Sequence, residues 1–152
     1  PTPLRANQIY HTVTGRIRAL DESFIQLFTR SDLATQKLFA LIAAMAYDTL
    51  FFDFVYEVIR EKMILGTYEF SDSDVRVFFK DKQQQNEKVA GWTDATLVRL
   101  GRCYKTMLYE AGIIDKAKTA RKILRPILDP DLVRWLEQNN MGAYIKALAG
   151  VR

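Results

Sequence analysis

The stretch Trp92–Ile114, WTDATLVRLGRCYKTMLYEAGII, decides how this chain folds. Thr93 precedes a helical pattern and can offer its hydroxyl to unpaired N–H groups, with Asp94 in the first turn to suit the positive end of the helix dipole. Trp92, one residue before the cap, is spaced to fold onto Leu97. At the other end Gly112 suits the left-handed position past the last turn, and Ile113 is spaced to touch Leu108. Projected at about 100° per residue, Leu97, Leu100, Tyr104, Met107, Leu108 and Ala111 share one sector. Arg99, Arg102 and Lys105 lie almost opposite. One side of this helix packs and the other is cationic.

Beyond the helix the period changes. Ile113-Ile114 and Lys122–Ile127 read as two short strands, Pro126 being tolerated only at a sheet edge. The small β-hairpin so expected carries Lys116, Lys118, Arg121, Lys122 and Arg125. Asp129-Pro130 then opens a helix with Leu132, Val133 and Leu136, and a last short helix holds Tyr144, Ile145 and Leu148. Ahead of Trp92, the cluster Ser71-Asp72-Ser73-Asp74 caps a helix with Val75, Val77, Phe78 and Phe79.

The front of the chain is helical throughout. A helix from about Leu4 to Leu20 places Ile9, Val13, Ile17 and Leu20 on one side, and a short one follows near Glu22–Phe28. Ser31-Asp32 caps an apolar helix to about Tyr47. From Asp48 the chain either starts another helix or continues the same one, ending near Met63 with Gly66 behind it. The fold class expected is mainly α: a helical bundle half over residues 1–66, joined to a winged helix-turn-helix-like unit with a small β-hairpin over residues 67–152, the two either separate or packed as one compact unit.

Formal net charge is +4 over 152 residues, and its distribution says more than its size. Residues 1–60, 61–92 and 126–152 are each balanced to within one charge. Residues 93–125 hold eight Lys/Arg (Arg99, Arg102, Lys105, Lys116, Lys118, Arg121, Lys122 and Arg125) against Asp94, Glu110 and Asp115. Duplex DNA carries one phosphate charge per ~1.7 Å of axis, and each neutralised phosphate releases condensed counterions. A cationic helix beside a cationic hairpin is suited to such a surface. Arg99 and Arg102 could make bidentate contacts to guanine edges, but the face has no Asn, so binding through phosphates without sequence preference is the expectation. The bland alternative, a merely solvated polar face, is weakened by five more cations on the adjoining hairpin.

Other classes of function fare worse. With 49% hydrophobic residues, a chain this long buries a core without staples, and one Cys with one His makes neither a disulfide nor a zinc cluster. His11 has no triad-like neighbours and reads as structural, and Cys103, at the margin of an apolar sector, reads as a packing residue. Glu69, Asp72 and Asp74 stand where a helix cap wants oxygen atoms rather than where a metal is held. Asp129 and Asp131 flank Pro130 with no Glu-x-Lys to complete a nuclease pattern. No catalytic residue, metal or cofactor is expected.

Leu38–Tyr56 is the most lipid-like stretch, but Asp48 and Asp53 would each cost about 2.5–3.5 kcal/mol near a bilayer centre. Two successive core helices account for it better. No secretory signal pattern is visible at the start, and a reducing cytoplasm is the expected location.

Five blocks in order, DFVYEVIREK (Asp53–Lys62), FFKDK (Phe78–Lys82), VAGWTDATLVRL (Val89–Leu100), YEAGII (Tyr109–Ile114) and ILRPILDPDL (Ile123–Leu132), resemble the BrxA family of the bacterial BREX (bacteriophage exclusion) defence systems. The resemblance extends over nearly the whole chain. It implies a mainly helical, non-enzymatic, cytoplasmic protein that binds double-stranded DNA and works beside other BREX subunits, with no membrane insertion. The blocks mark core and turn positions, so the eight cations remain a reading of charge alone. The rival function is a protein-interaction adaptor that docks other BREX subunits through the aromatic-rich front half, with Phe51, Phe52, Phe54 and Tyr56.

Overall fold

A computed structural model describes residues 2–152. The front half runs α1 (Pro3–Arg18), α2 (Phe24–Arg30), α3 (Leu33–Tyr47) and α4 (Thr49–Ile64). Asp48 decides its shape. The Asp48 N–H donates to the Ala44 carbonyl and closes α3, while its Oδ1 accepts from the N–H groups of Leu50 and Phe51 at 3.0 and 3.2 Å and opens α4. The two helices meet at 115°, so the alternative left open by periodicity resolves as a break. Among the described residues no single helix is long and apolar enough to cross a membrane.

The second half begins with strand β1 (Glu69–Phe70), followed by α5 (Asp72–Gln85), α6 (Glu87–Ala90), α7 (Asp94–Glu110), strand β2 (Arg121–Lys122), α8 (Pro130–Gln138) and α9 (Gly142–Ala149). The local boundaries follow from their caps. Thr93 Oγ1 accepts from the Thr96 N–H at 3.2 Å at the start of α7. At its end Ile113 N–H donates to the Leu108 carbonyl and Gly112 N–H to Tyr109, with Gly112 at φ +80°, the paired bonds of a left-handed helix stop. Ser71 and Asp74 form a reciprocal capping box on α5.

The expected hairpin is present as one bridge, Ile114 opposite Ile123, flanked by Asp115 N–H to the Lys122 carbonyl and Leu124 N–H to Ile113. Its outer strand pairs on the other edge with β1, antiparallel, Glu69 opposite Lys122 and Phe70 opposite Arg121. The fold is thus mainly α with a small antiparallel sheet.

One core joins the halves across the expected boundary at residue 66. Phe51 and Tyr104 rings lie 4.7 Å apart, Phe54 and Phe78 5.2 Å, and Phe79 stacks on Tyr104 at 5.9 Å. The C-terminal helices pack on the front half: Trp135 sits 5.6 Å from Phe39 and donates its indole N–H to Ser23 Oγ at 2.9 Å, and Tyr144 lies 4.8 Å from Phe52. Emptying such a site, as Leu132→Ala would, costs about 2–5 kcal/mol, because the cavity only partly collapses.

One side left open by periodicity is settled, and one expectation is corrected. Helix α1 has no buried residue, and Ile9, Val13 and Ile17 are 53%, 47% and 47% exposed, so its apolar side faces outward. It touches the bundle at Gly15, where an added Cβ would sit 2.5 Å from the Tyr47 ring. In addition, Phe51 and Phe54 are wholly buried and Phe52 and Tyr56 half-buried, so the aromatic residues invoked for an adaptor surface belong to the core.

Candidate nucleic-acid interface

The exposed side of α7 carries Arg99, Arg102, Cys103 and Thr106, while Leu100, Tyr104, Met107, Leu108 and Ala111 face the core. Arg99 and Arg102 are exposed and make no ion pair among the described residues. Cys103 is exposed too, which corrects the packing role expected for it. The apolar sector ends one step short of it. Gly101 is buried against α5, where an added Cβ would lie 2.8 Å from Val75 Cγ1, so the two helices approach closely at this point.

Lys105 and Arg121 are brought together. Asp72 Oδ1, at the first position of α5, accepts from Lys105 Nζ at 2.8 Å and from Arg121 Nη1 at 3.0 Å. The hydrogen bond from Lys105 holds the Asp72 carboxyl below its ordinary value; burial opposes this, and the charges of Lys105 and Arg121 with the Arg121 hydrogen bond add to the lowering. Arg121 also donates to the Lys118 carbonyl at 3.1 Å and lies 5.8 Å from the Phe70 ring. One carboxylate therefore ties the helix, the strand and the 115–120 loop into a single piece. Asp74, by contrast, does what the capping cluster suggested: it accepts from the Ser71 N–H and pairs with Lys62 at 2.9 Å.

The remaining cations lie around that knot. Lys118, Lys122 and Arg125 are exposed along the hairpin, with the Arg125 guanidinium 5.8 Å from the Tyr68 ring. Lys116 stands apart, on the wall of a separate cavity facing α1 and α3. Two cations outside the charge-rich window join the assembly. Arg76 and Lys80, four residues apart on α5, line a cleft of about 570 Å³ between α5 and α7 together with Lys105. Their i, i+4 spacing was readable, but the balanced charge of residues 61–92 hid them.

The buried cations elsewhere on α4 and α5 have partners within the protein. Lys82 is nearly buried between Asp53 at 2.9 Å and Glu57 at 2.7 Å. Burial opposes its charge, but the hydrogen bonds to Glu57 and Asp53 outweigh that and raise its pKa. Arg60 donates Nε to the Val151 carbonyl at 2.9 Å and lies 4.1 Å over the Tyr56 ring. Burial pushes the Tyr104 hydroxyl up, as does Asp48, whose carboxylate lies 3.4 Å away.

What emerges is a mainly helical protein with a cationic helix braced against a small cationic sheet. A family model described as BrxA matches residues 1–140. A protein described as "BREX protein BrxA" from Bacillus cereus (strain H3081.97) is 37% identical over 149 residues, covering 98% of this chain and 74% of that protein. The chain belongs to the BrxA family. An uncharacterized protein from Magnetospirillum magneticum, known from a crystal structure, has the same fold, with a TM-score of 0.78 at 20% identity over 90% of this chain and 71% of its own.

Proposed function

We propose that this chain is a non-catalytic, cytoplasmic component of BREX phage defence that binds double-stranded DNA with little sequence preference. Arg99, Arg102, Lys105, Lys116, Lys118, Arg121, Lys122 and Arg125 make the contacts, and no cofactor is needed. Membership of the BrxA family supports the BREX setting. The observation that carries the DNA reading is the state of the cations. Six of the eight are exposed and unpaired among the described residues, and the other two are tied together on Asp72 so that helix and hairpin move as one.

On this proposal the order strand, helix, short helix, helix, paired segment is read as a winged helix-turn-helix-like unit. In that arrangement α7 enters the major groove and the 115–120 loop reaches the flanking backbone. Residues from 67 onward supply DNA contact on this reading, and residues 1–66 support them. The test is fluorescence polarisation with a random DNA duplex, its single strand and an RNA duplex across a salt series. The expected result is duplex binding whose logarithm falls linearly with log salt, with a slope of about 0.9 per phosphate contacted. Salt-independent or absent duplex binding removes the reading.

A second reading, an adaptor for other BREX subunits, is favoured by the outward apolar side of α1, Ile9, Val13 and Ile17. Pull-down of a BREX subunit by a chain without DNA affinity would place it first. The two roles are compatible.

A further inference from the structure

Arg16 is an anomaly in a protein that otherwise matches its buried charges. Its Nε is buried with no hydrogen-bond partner. Its Nη2 reaches only the Met107 sulfur, at 3.5 Å, and no carboxylate pairs with it among the described residues. A buried donor without an acceptor is costly, more so when charged. The close contact of Gly15 with the Tyr47 ring holds α1 against α3 and sets Arg16 into the wedge between α3 and α7.

That wedge opens into a cavity of about 840 Å³, within the range of small-molecule sites. Lys37 of α3 and Lys116 of the hairpin share its walls with Arg16, and neither makes an ion pair among the described residues. The floor is apolar, with Leu41, Met107 and Ile114. Two acids are also on the walls. Asp115 has its Oδ1 engaged by the N–H groups of Ala117 and Lys122, and Glu110 is exposed. Three cations from three separate elements outnumber them.

We propose that this cavity is a phosphate-binding site. It takes a phosphate ester of nucleotide size, whose anionic group meets Arg16, Lys37 and Lys116 and whose flat organic part rests on the apolar floor. A phosphate suits three donors better than a carboxylate does, because it offers more oxygens and more charge, and guanidinium matches it in a bidentate manner. The phosphate arrives either on a free nucleotide or on a DNA strand passing the hairpin. The site does not depend on the duplex reading, although Lys116 is common to both.

The experiment is calorimetric titration of the full chain with AMP, inorganic phosphate and, as a carboxylate control, acetate, beside duplex binding by polarisation. Arg16→Gln, Lys37→Glu and Lys116→Glu are compared with the unaltered chain. Lys37 and Lys116 are exposed, so their variants keep the test sound if Arg16→Gln folds poorly. A free-nucleotide site is established if AMP binds, acetate does not, and Arg16→Gln or Lys37→Glu weakens AMP about tenfold. If AMP is ignored but Lys37→Glu and Arg16→Gln weaken the duplex by a similar factor, the phosphate comes from the DNA strand. AMP binding in a chain that ignores duplex upholds the cavity and removes the duplex reading. No AMP binding together with unaltered duplex affinity in Arg16→Gln and Lys37→Glu overturns the proposal, even where reversal of Arg99 and Arg102 still abolishes duplex binding.

Discussion

Two groups of cations occupy this molecule, and they are treated in opposite ways. Around α4 and α5, Arg60, Lys62 and Lys82 each meet an acid or a carbonyl of the same chain. On α7 and the hairpin, Arg99, Arg102, Lys118, Lys122 and Arg125 meet no carboxylate among the described residues. The second segment has few acids of its own, three against eight Lys/Arg over residues 93–125. What differs is whether a fixed partner stands within 4 Å, and that decides which cations stabilise the fold and which remain available to an outside polyanion.

Reversing both Arg99 and Arg102 to Glu should sharpen this contrast most. Duplex affinity is expected to fall about 100-fold for unrelated sequences, with the salt slope reduced by about 1.8 and the melting curve unmoved. A polarisation series that shows full affinity in this variant breaks the comparison. The mirror experiment is Lys82→Ala, which leaves Asp53 and Glu57 facing each other without their ammonium. Since both carboxylates are partly exposed, the expected loss is about 1–2 kcal/mol in urea unfolding, with duplex affinity retained.

Asp72→Asn acts on the boundary between the groups. Removing the charge that pins Lys105 and Arg121 should tighten duplex binding about threefold, as one repulsive charge leaves the surface. Weaker binding in this variant would mean that the pinned geometry matters more than the charge. The smallest effect is expected from acid. The Asp72 carboxyl titrates below its ordinary value of 3.8, so its contribution is complete above that value and is lost as pH falls through the lowered one. Carbon-13 NMR of the Asp72 carboxyl should show this displaced midpoint, and its rise in Lys105→Ala, where the largest lowering contact is gone.

Much of this could be read from the residues because helix ends are local. Thr93 and Thr96, Ser71 and Asp74, or Leu108 and Ile113 sit three to five residues apart, and such spacings fix a hydrogen bond without any knowledge of the rest. Strand β1 was invisible because two residues carry no period, and its partner lies some fifty positions away. The outward facing of α1 was out of reach for a related reason. Periodicity shows that Ile9, Val13 and Ile17 share a side, but not whether anything covers it. Within the candidate interface the sector of Arg99, Arg102 and Lys105 was legible. The bond of Lys105 and Arg121 to Asp72, and the wedge holding Arg16, depend on chain segments meeting far from each other in sequence.

The corner at Asp48 constrains how this protein can vary in length. A single side chain there ends one helix, begins the next and lies within reach of Tyr104 on α7. An insertion of one residue would rotate everything after it by about 100°, carrying Phe51 and Phe54 out of register with the rings they meet. The 115–120 loop has no such coupling to the aromatic cluster. Additions and deletions should gather there, and the spacing from Ala44 to Phe54 should stay constant wherever this architecture is kept.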